Sequence, residues 1–274
     1  MIRGQEQPGA GREDVIAGRR AVAEALRAGR PLHKLLIAWG VREKSKEVDY
    51  LLAEAARRHV PVERVDRERL AELAGTDHQG VVALAAVQPY LSLEDLMEAL
   101  SSGFGEWRRR RGLPAAAPAF LVALDEIQDP QNVGAILRTA EAAGADGVLI
   151  PERRAAGLTA ATARSAAGAQ EWIPVVRVTS LPYALERLKS QGLWVVGTAA
   201  DAPTSVYAAD LTMPLVLVIG SEGKGLRRST AGVCDLMVHL PMQGRIGSLN
   251  ASVAAGIVLY EVVRQRGTGS RATS

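Results

Sequence analysis

LVLVIGSEGKGL (Leu215–Leu226) and, after a polar interval, LPMQGRIGSLNASVAAGIVLYE (Leu240–Glu261) decide how this chain folds. In each, a short apolar strand runs into a glycine-bearing loop. The second loop ends at Ser248-Leu249-Asn250, where a helix opens. Uninterrupted apolar strands are expected when helices cover both faces of a parallel sheet. Ligands of such sheets sit beyond the carboxyl ends of the strands. Two adjacent loops whose backbones can be closely approached make a site for a flat, polar small molecule.

The same alternation extends upstream to Ala119. Strands are expected at Phe120–Leu124, Val148–Ile150, Ile173–Val176, Trp194–Gly197, Leu215–Ile219 and Met237–Leu240. Helices are expected near Val133–Ala143, Ala160–Ala167, Pro182–Gln191 and Arg227–Ala231, with a last one over Ala251–Arg264. Residues 15–90 read as a smaller α/β unit, with helices at Gly18–Ala28, Glu47–His59 and Arg67–Ala74. Its strands are Leu35–Ala38, Pro61–Val65 and Val81–Val87. Between the units, residues 91–118 read as a linker holding at most a short helix at Leu91–Leu100. There Arg108–Arg111 beside Trp107 either contact RNA phosphates with one stacked base or are a solvated basic run. Residues 1–14 and 267–274 read as disordered tails.

Composition narrows the class. The 274 residues suit two domains or one large one, with 47% hydrophobic and 23% charged residues as in soluble globular proteins. No apolar run reaches about 18 residues, so no membrane helix is expected. The lone Cys234 rules out an internal disulfide, and with only four histidines it argues against a zinc site. The chain therefore reads as cytoplasmic and metal-free. A net charge of +3 permits a nucleic-acid partner without demanding one. Residues 1–90 hold 15 Lys+Arg against 13 Asp+Glu, too even to define a phosphate track.

Three segments of the larger unit can carry chemistry. In LDEIQDPQNVGAILRTAEAAG, Asn132 opens an amphipathic helix and Arg138 follows six residues on, less than two turns along. Alone, the pair reads as no more than an N-cap and a surface arginine. IGSEGKGL is neither a dinucleotide fingerprint nor a P-loop, because Val218 and Gly225 stand where a P-loop needs Gly and Ser or Thr. Its unusual member is Glu222, a carboxylate able to accept from loop amides or an arginine. Ser248 and Asn250 lie just before the last helix, in cap positions.

In order and spacing, NVGAILRTAEAAG, VIGSEGKGL and LPMQGRIGSLNASVA resemble the three motifs of the SpoU-type (TrmH-type) RNA 2′-O-ribose methyltransferases of the SPOUT superfamily. IAGRRAVAEAL and HQGVVAL resemble the L30-like substrate-binding domain of the branch that methylates a guanosine in the peptidyl-transferase-centre loop of bacterial 23S rRNA. The resemblance implies an α/β fold: a C-terminal SPOUT parallel sheet over residues 119–266, with a deep trefoil knot, and an L30-like α/β domain over 15–90. It implies a homodimer acting on 23S rRNA, with no DNA or membrane partner. S-adenosyl-L-methionine would be the co-substrate, bound bent by backbone groups at Gly220, Leu240 and Leu249. Arg138, Asn132, Glu222, Ser248 and Asn250 match the family's functional positions. The family proposal makes Arg138 the general base. A guanidinium is almost never deprotonated in a protein, so orienting a phosphate and stabilising the alkoxide is the alternative. Other targets in reach are an adenosine, as in the thiostrepton-resistance enzymes, and tRNA. A non-catalytic RNA-binding protein is the reading from a different class.

Overall fold

The computed structural model describes residues 13–41, 45–245 and 247–269, in two units divided after Pro89. In the first unit the order is β1 (Glu13–Ala17), α1 (Arg19–Arg27), β2 (Leu32–Ala38), α2 (Lys46–Arg57), β3 (Val62–Val65), α3 (Arg67–Ala74) and β4 (Val81–Ala86). The sheet runs β1-β4-β2-β3 and is mixed: β4 is antiparallel to β1 and β2, while β2 and β3 are parallel. Apolar residues at helical spacing on α1 (Val22, Ala25, Leu26) and α2 (Val48, Leu51, Ala55) are buried on this sheet with Leu35, Ile37, Val81 and Ala83.

β1 corrects the tail expected over residues 1–14. Glu13 and Asp14 lie in a strand, and Asp14 pairs with Arg30 and accepts from the Gln88 amide. Residues 1–12 of that tail lie outside the described residues.

The second unit follows with α4 (Leu93–Ser101), α5 (Gly105–Arg111), β5 (Phe120–Asp125), α6 (Pro130–Ala142), β6 (Gly147–Pro151), α7 (Ala160–Ala166), β7 (Val175–Val178) and α8 (Leu181–Lys189). Then come β8 (Trp194–Thr198), β9 (Thr204–Ser205), β10 (Leu215–Gly220), α9 (Arg228–Ala231), β11 (Leu236–His239) and α10 (Ala251–Gly269). Its seven strands run β7-β6-β5-β10-β8-β11-β9, every pairing parallel. The α/β reading with two units is borne out. β7 starts two residues later than expected, after Pro174, which has no N–H to give a ladder. β9 was not anticipated, being two residues long. α10 runs through residues 267–269, the start of the expected second tail; 270–274 lie outside the described residues.

Alternate residues of each strand point to opposite faces. Val122, Leu124, Leu217 and Ile219 join the core with Val133, Ile136 and Leu137 of α6 and Val258, Leu259 and Val262 of α10. Leu121, Ala123, Val216 and Val218 join Leu181, Leu185 and Leu188 of α8, and also Leu93, Leu96 and Phe104. The last three belong to the expected linker, so α4 and α5 are part of this unit's second layer. A capping box starts α4: the Ser92 hydroxyl accepts from the Asp95 amide, and Asp95 accepts from the Ser92 amide.

The four-arginine run is accordingly neither solvated nor a phosphate contact as a whole. Arg108 is buried and donates through Nε and Nη2 to Asp146, both at 2.7 Å, and to the carbonyls of Ala115 and Ala117. Arg111 donates to the carbonyls of Ala145 and Glu141, and burial pushes its guanidinium below the ordinary value. Trp107 packs on Phe104, with ring centroids 5.5 Å apart. The helix expected at Leu91–Leu100 is α4; periodicity misses α5 because the Gly-rich SSGFG precedes it and Arg108 and Arg111 turn inward.

Candidate active site

β5 continues outward through β6 to β7, and the chain then returns to β8, on β5's other side. β10 fills the gap between β5 and β8, so the strand order reverses at β5 and β10. Crevices form at such reversals, beyond the carboxyl ends of the strands. Here the loops after β5 and β10 meet. Asp125, the last residue of β5, is fully buried and accepts from the Arg227 amide at 2.8 Å and Nε at 2.7 Å. That ion pair ties down the loop from Ser221 to Leu226. The loop folds on itself through reciprocal bonds between the Ser221 and Gly225 backbones, 2.9 and 3.1 Å. Gly220 is obligatory at its base: a Cβ there would lie 2.4 Å from the Gly225 carbonyl carbon and 2.7 Å from the Leu226 nitrogen.

A cleft of about 640 Å³ opens over this loop. Its walls include Gly220, Glu222, Leu240, Ser248 and Leu249, with Thr198–Asp201 at the end of β8 and the first turns of α10. Drug-sized ligands occupy cavities of roughly 300–1,000 Å³ with mostly apolar walls and a few placed polar groups. Gly220, Leu240 and Leu249 thus line one cavity, although 20 or more residues separate Gly220 from the other two in sequence.

At the cleft's edge three side chains from different segments converge. Glu222 Oε1 accepts from Asn132 Nδ2 at 3.1 Å, Asn250 Nδ2 at 2.7 Å and the Ala251 amide at 3.0 Å. Asn250 Nδ2 also donates to Asn132 Oδ1 at 3.0 Å. Asn250 Oδ1 accepts from the Ser252 amide at 3.0 Å, capping α10. Asn132 is held by α6, which Asp129 caps through the Gln131 amide. Both asparagines are therefore caps or first-turn residues and members of the cluster at once. Glu222 also meets the positive end of α10. Its Oε2 has no hydrogen-bond partner among the described residues and is free to accept one.

Two of the expected residues stand apart from this cluster. Ser248 lines the cleft but makes no bond to Glu222 or the asparagines among the described residues. Arg138 is exposed on α6, about 9 Å along the axis from Asn132. It does not line the cleft and makes no ion pair among the described residues. Asp125 and Arg227 were missed in the sequence. The available signal was an acid ending the otherwise apolar run FLVALD, the position from which a carboxylate can brace the next loop.

α6 approaches α7 closely over Gly134, where a Cβ would lie 2.5 Å from the Thr162 carbonyl oxygen. That contact sets the helix carrying Asn132. Among the described residues, no cluster of His, Cys, Asp and Glu suits a metal ion, and no helix is long and apolar enough to cross a membrane.

Fold and cleft together define a small-molecule-binding α/β domain whose site is built from the backbone of loops beyond a strand-order reversal. Residues 119–260 match the SpoU rRNA Methylase family, and residues 15–91 match the RNA 2′-O ribose methyltransferase substrate-binding domain. The chain belongs to the SpoU methylase family. It is 44% identical over 254 residues to YacO of Bacillus subtilis (strain 168), assigned to the TrmH family of tRNA/rRNA methyltransferases; the match spans 92% of this chain and 96% of that one. The structure of the SpoU methyltransferase AviRb from Streptomyces viridochromogenes, in complex with AdoMet, superposes with a TM-score of 0.74 at 29% identity, covering 94% of this chain and 92% of that one. The AdoMet-bound rRNA methyltransferase of Sinorhizobium meliloti gives 0.72 at 27%, covering 92% and 87%.

Proposed function

We propose that the protein methylates a ribose 2′-hydroxyl of 23S rRNA, at a guanosine of the peptidyl-transferase-centre loop, using S-adenosyl-L-methionine. The observation that carries this reading is the Asn132–Glu222–Asn250 cluster at the rim of a loop-built cleft. The cleft fits the co-substrate. The backbone at Gly220 leaves no room for a side chain, Leu240 and Leu249 offer apolar walls, and the Asp201 and Glu222 carboxylates suit a cation. When bound, S-adenosylmethionine supplies an electrophilic methyl group on a sulfonium.

This chain's residues then bind and orient. Glu222 Oε1 fixes both asparagine amides, and its free Oε2 accepts from the incoming ribose. Arg138, outside this cleft, engages an RNA phosphate and so orients the substrate. Ser248 holds the second loop against the co-substrate. An adenosine of 23S rRNA or a tRNA is the alternative target. The family's trefoil knot accords with β10 lying between two earlier strands, and with the close approach at Gly220. Homodimerisation accords with α10, which is apolar around its circumference. It buries Ala255, Val258, Leu259 and Val262 but leaves Val253, Ile257, Tyr260 and Val263 exposed.

The test is methyl transfer by the full-length protein from radiolabelled S-adenosylmethionine to in vitro transcribed 23S rRNA and tRNA, with the methylated nucleotide mapped. Label on a 23S guanosine is expected. Label on an adenosine or in tRNA moves the target, and no transfer to either RNA ends the reading. Arg138→Ala should lose most turnover at unchanged co-substrate affinity. Near-normal turnover in both Arg138→Ala and Arg138→Lys would remove Arg138 from the chemistry.

A further inference from the structure

Among the described residues of the first unit, Trp39 is the most exposed large apolar side chain, with 61% of its surface open. It follows β2 directly, and the backbone around it is fixed. The Trp39 amide donates to the Val65 carbonyl at 2.9 Å, and the Ala38 amide to the Gly80 carbonyl at 2.9 Å. Val41, two residues on, is buried against Gly80. A Cβ on Gly80 would lie 2.4 Å from the Val41 side chain. Trp39 is thus pinned between two buried residues, Ala38 and Val41, while its own ring stands in solvent. Leaving so large an apolar surface open costs hydrophobic free energy unless something covers it.

The registers show what shares this edge. β1, β2 and β3 end here and β4 begins, since Ala17 pairs with Val82, Ile37 with Val81 and Ala38 with Val65. The edge therefore carries the starts of α1, α2 and α3, with Arg20, Lys46 and Arg67 exposed. None of the three makes an ion pair among the described residues. Arg19 donates to the Gln79 carbonyl at 3.2 Å, and Gln79 is itself exposed. Glu47, Asp66, Glu68 and Asp77 are exposed on the same edge, so it carries no net positive charge. Phosphate attraction alone would make a weak, sequence-blind contact here. An exposed indole on a fixed backbone, on an edge that also carries cations, suits an unpaired base flanked by its phosphates.

We infer that this edge of the first unit is where substrate RNA is gripped, with Trp39 stacking on an unpaired base and Arg20, Lys46 and Arg67 taking the flanking phosphates. The inference rests on the proposed RNA substrate and specifies the feature recognised: a single-stranded base in a loop or bulge, not a duplex. Full-length wild type, Trp39→Ala and Trp39→Phe are compared for binding and methylation of in vitro transcribed 23S rRNA, and for binding of a short single-stranded oligoribonucleotide. Trp39→Ala should weaken binding and raise the KM for RNA roughly tenfold. Turnover at saturating RNA, co-substrate affinity and melting temperature should stay unchanged, and Trp39→Phe should restore most of the binding. Wild-type-like RNA affinity in Trp39→Ala overturns the inference. So does Trp39→Phe binding as weakly as Trp39→Ala at an intact melting temperature. Wild type that methylates tRNA and not 23S rRNA corrects the proposed target alone, and the same variants are then read on tRNA. Wild type that methylates neither RNA removes the proposed activity and this inference with it, before any variant is made.

Discussion

Asp146 and Glu222 each collect three hydrogen bonds, yet one is sealed at the amino edge of the parallel sheet and the other stands open at its carboxyl edge. Asp146 takes Arg108 Nε and Nη2 and the Phe120 amide, and is 1% exposed. Its donors are a charge and a strand start, and the arrangement closes the amino edge with the α5–β5 connection. Glu222 takes two asparagine amides and a helix-start amide, all three at a solvent-facing rim. Equal hydrogen-bond counts therefore conceal opposite uses. A sealed carboxylate whose partner is a buried cation holds elements together. An exposed one that organises neutral amides and keeps an oxygen free is set up to meet a ligand. Only the carboxyl edge carries the crevice, so only there can a carboxylate meet a ligand, although buried Asp125 with Arg227 shows that this edge holds a structural pair as well.

The largest effect expected from breaking this contrast is on stability. Asp146→Ala leaves Arg108 buried without its counter-charge, and removing one partner of a buried pair costs about 3–5 kcal/mol. Denaturant unfolding should show that loss. Adding Arg108→Met to Asp146→Ala should recover part of it, because no unpaired charge then remains. If Asp146→Ala unfolds like wild type, the amino edge is not the structural one.

Next comes Glu222. Glu222→Ala unties Asn132, Asn250 and the start of α10 together, and misplacing reacting groups by about 1 Å costs on the order of a hundredfold in rate. Methyl transfer should fall by that order, while stability falls less than in Asp146→Ala. Glu222→Gln should fall less than Glu222→Ala, since its amide oxygen still accepts from the three donors. Equal losses in the two variants would mean that the charge, rather than the hydrogen-bond geometry, is what the site uses.

Part of the carboxyl edge was legible in the sequence, without Asp125 and Arg227, and the amino edge was not. Glu222, Asn132 and Asn250 stand in loops and cap positions, where each alone reads as a cap or a solvent-facing acid, and only the three segments in order and spacing single them out. Gly220, Leu240 and Leu249 followed only from the family resemblance, since recognition by backbone groups leaves no side-chain signal. Arg108 looked like one of four solvated arginines, since nothing local tells which member of a charge run turns inward. Its partner Asp146 lies 38 residues away, in a short turn between α6 and β6. Long-range pairing is set by tertiary packing, which periodicity does not encode. Trp39 was passed over for the opposite reason: after the apolar strand Leu35–Ala38, an indole reads as one more core residue.

The smallest expected effect concerns Cys234, which lies just before β11, on the amino edge. Its Sγ lies 3.4 Å from the Thr230 carbonyl, and burial, aided by Asp235, pushes the thiol up to about 11 from an ordinary 9.0. The raised value means that the folded state holds the proton more tightly than the unfolded one. Its contribution to stability is therefore complete below pH 9.0 and lost as pH rises through 11. At pH 8 the thiolate is scarce, so iodoacetamide should label Cys234 far more slowly in the native protein than in denaturant. Cys234→Ala should leave methyl transfer within about twofold of wild type and cost only the modest penalty of a small buried void. A Cys234→Ala protein of normal melting temperature that had lost methyl transfer would break the division between the edges, because it would put chemistry where only packing is expected.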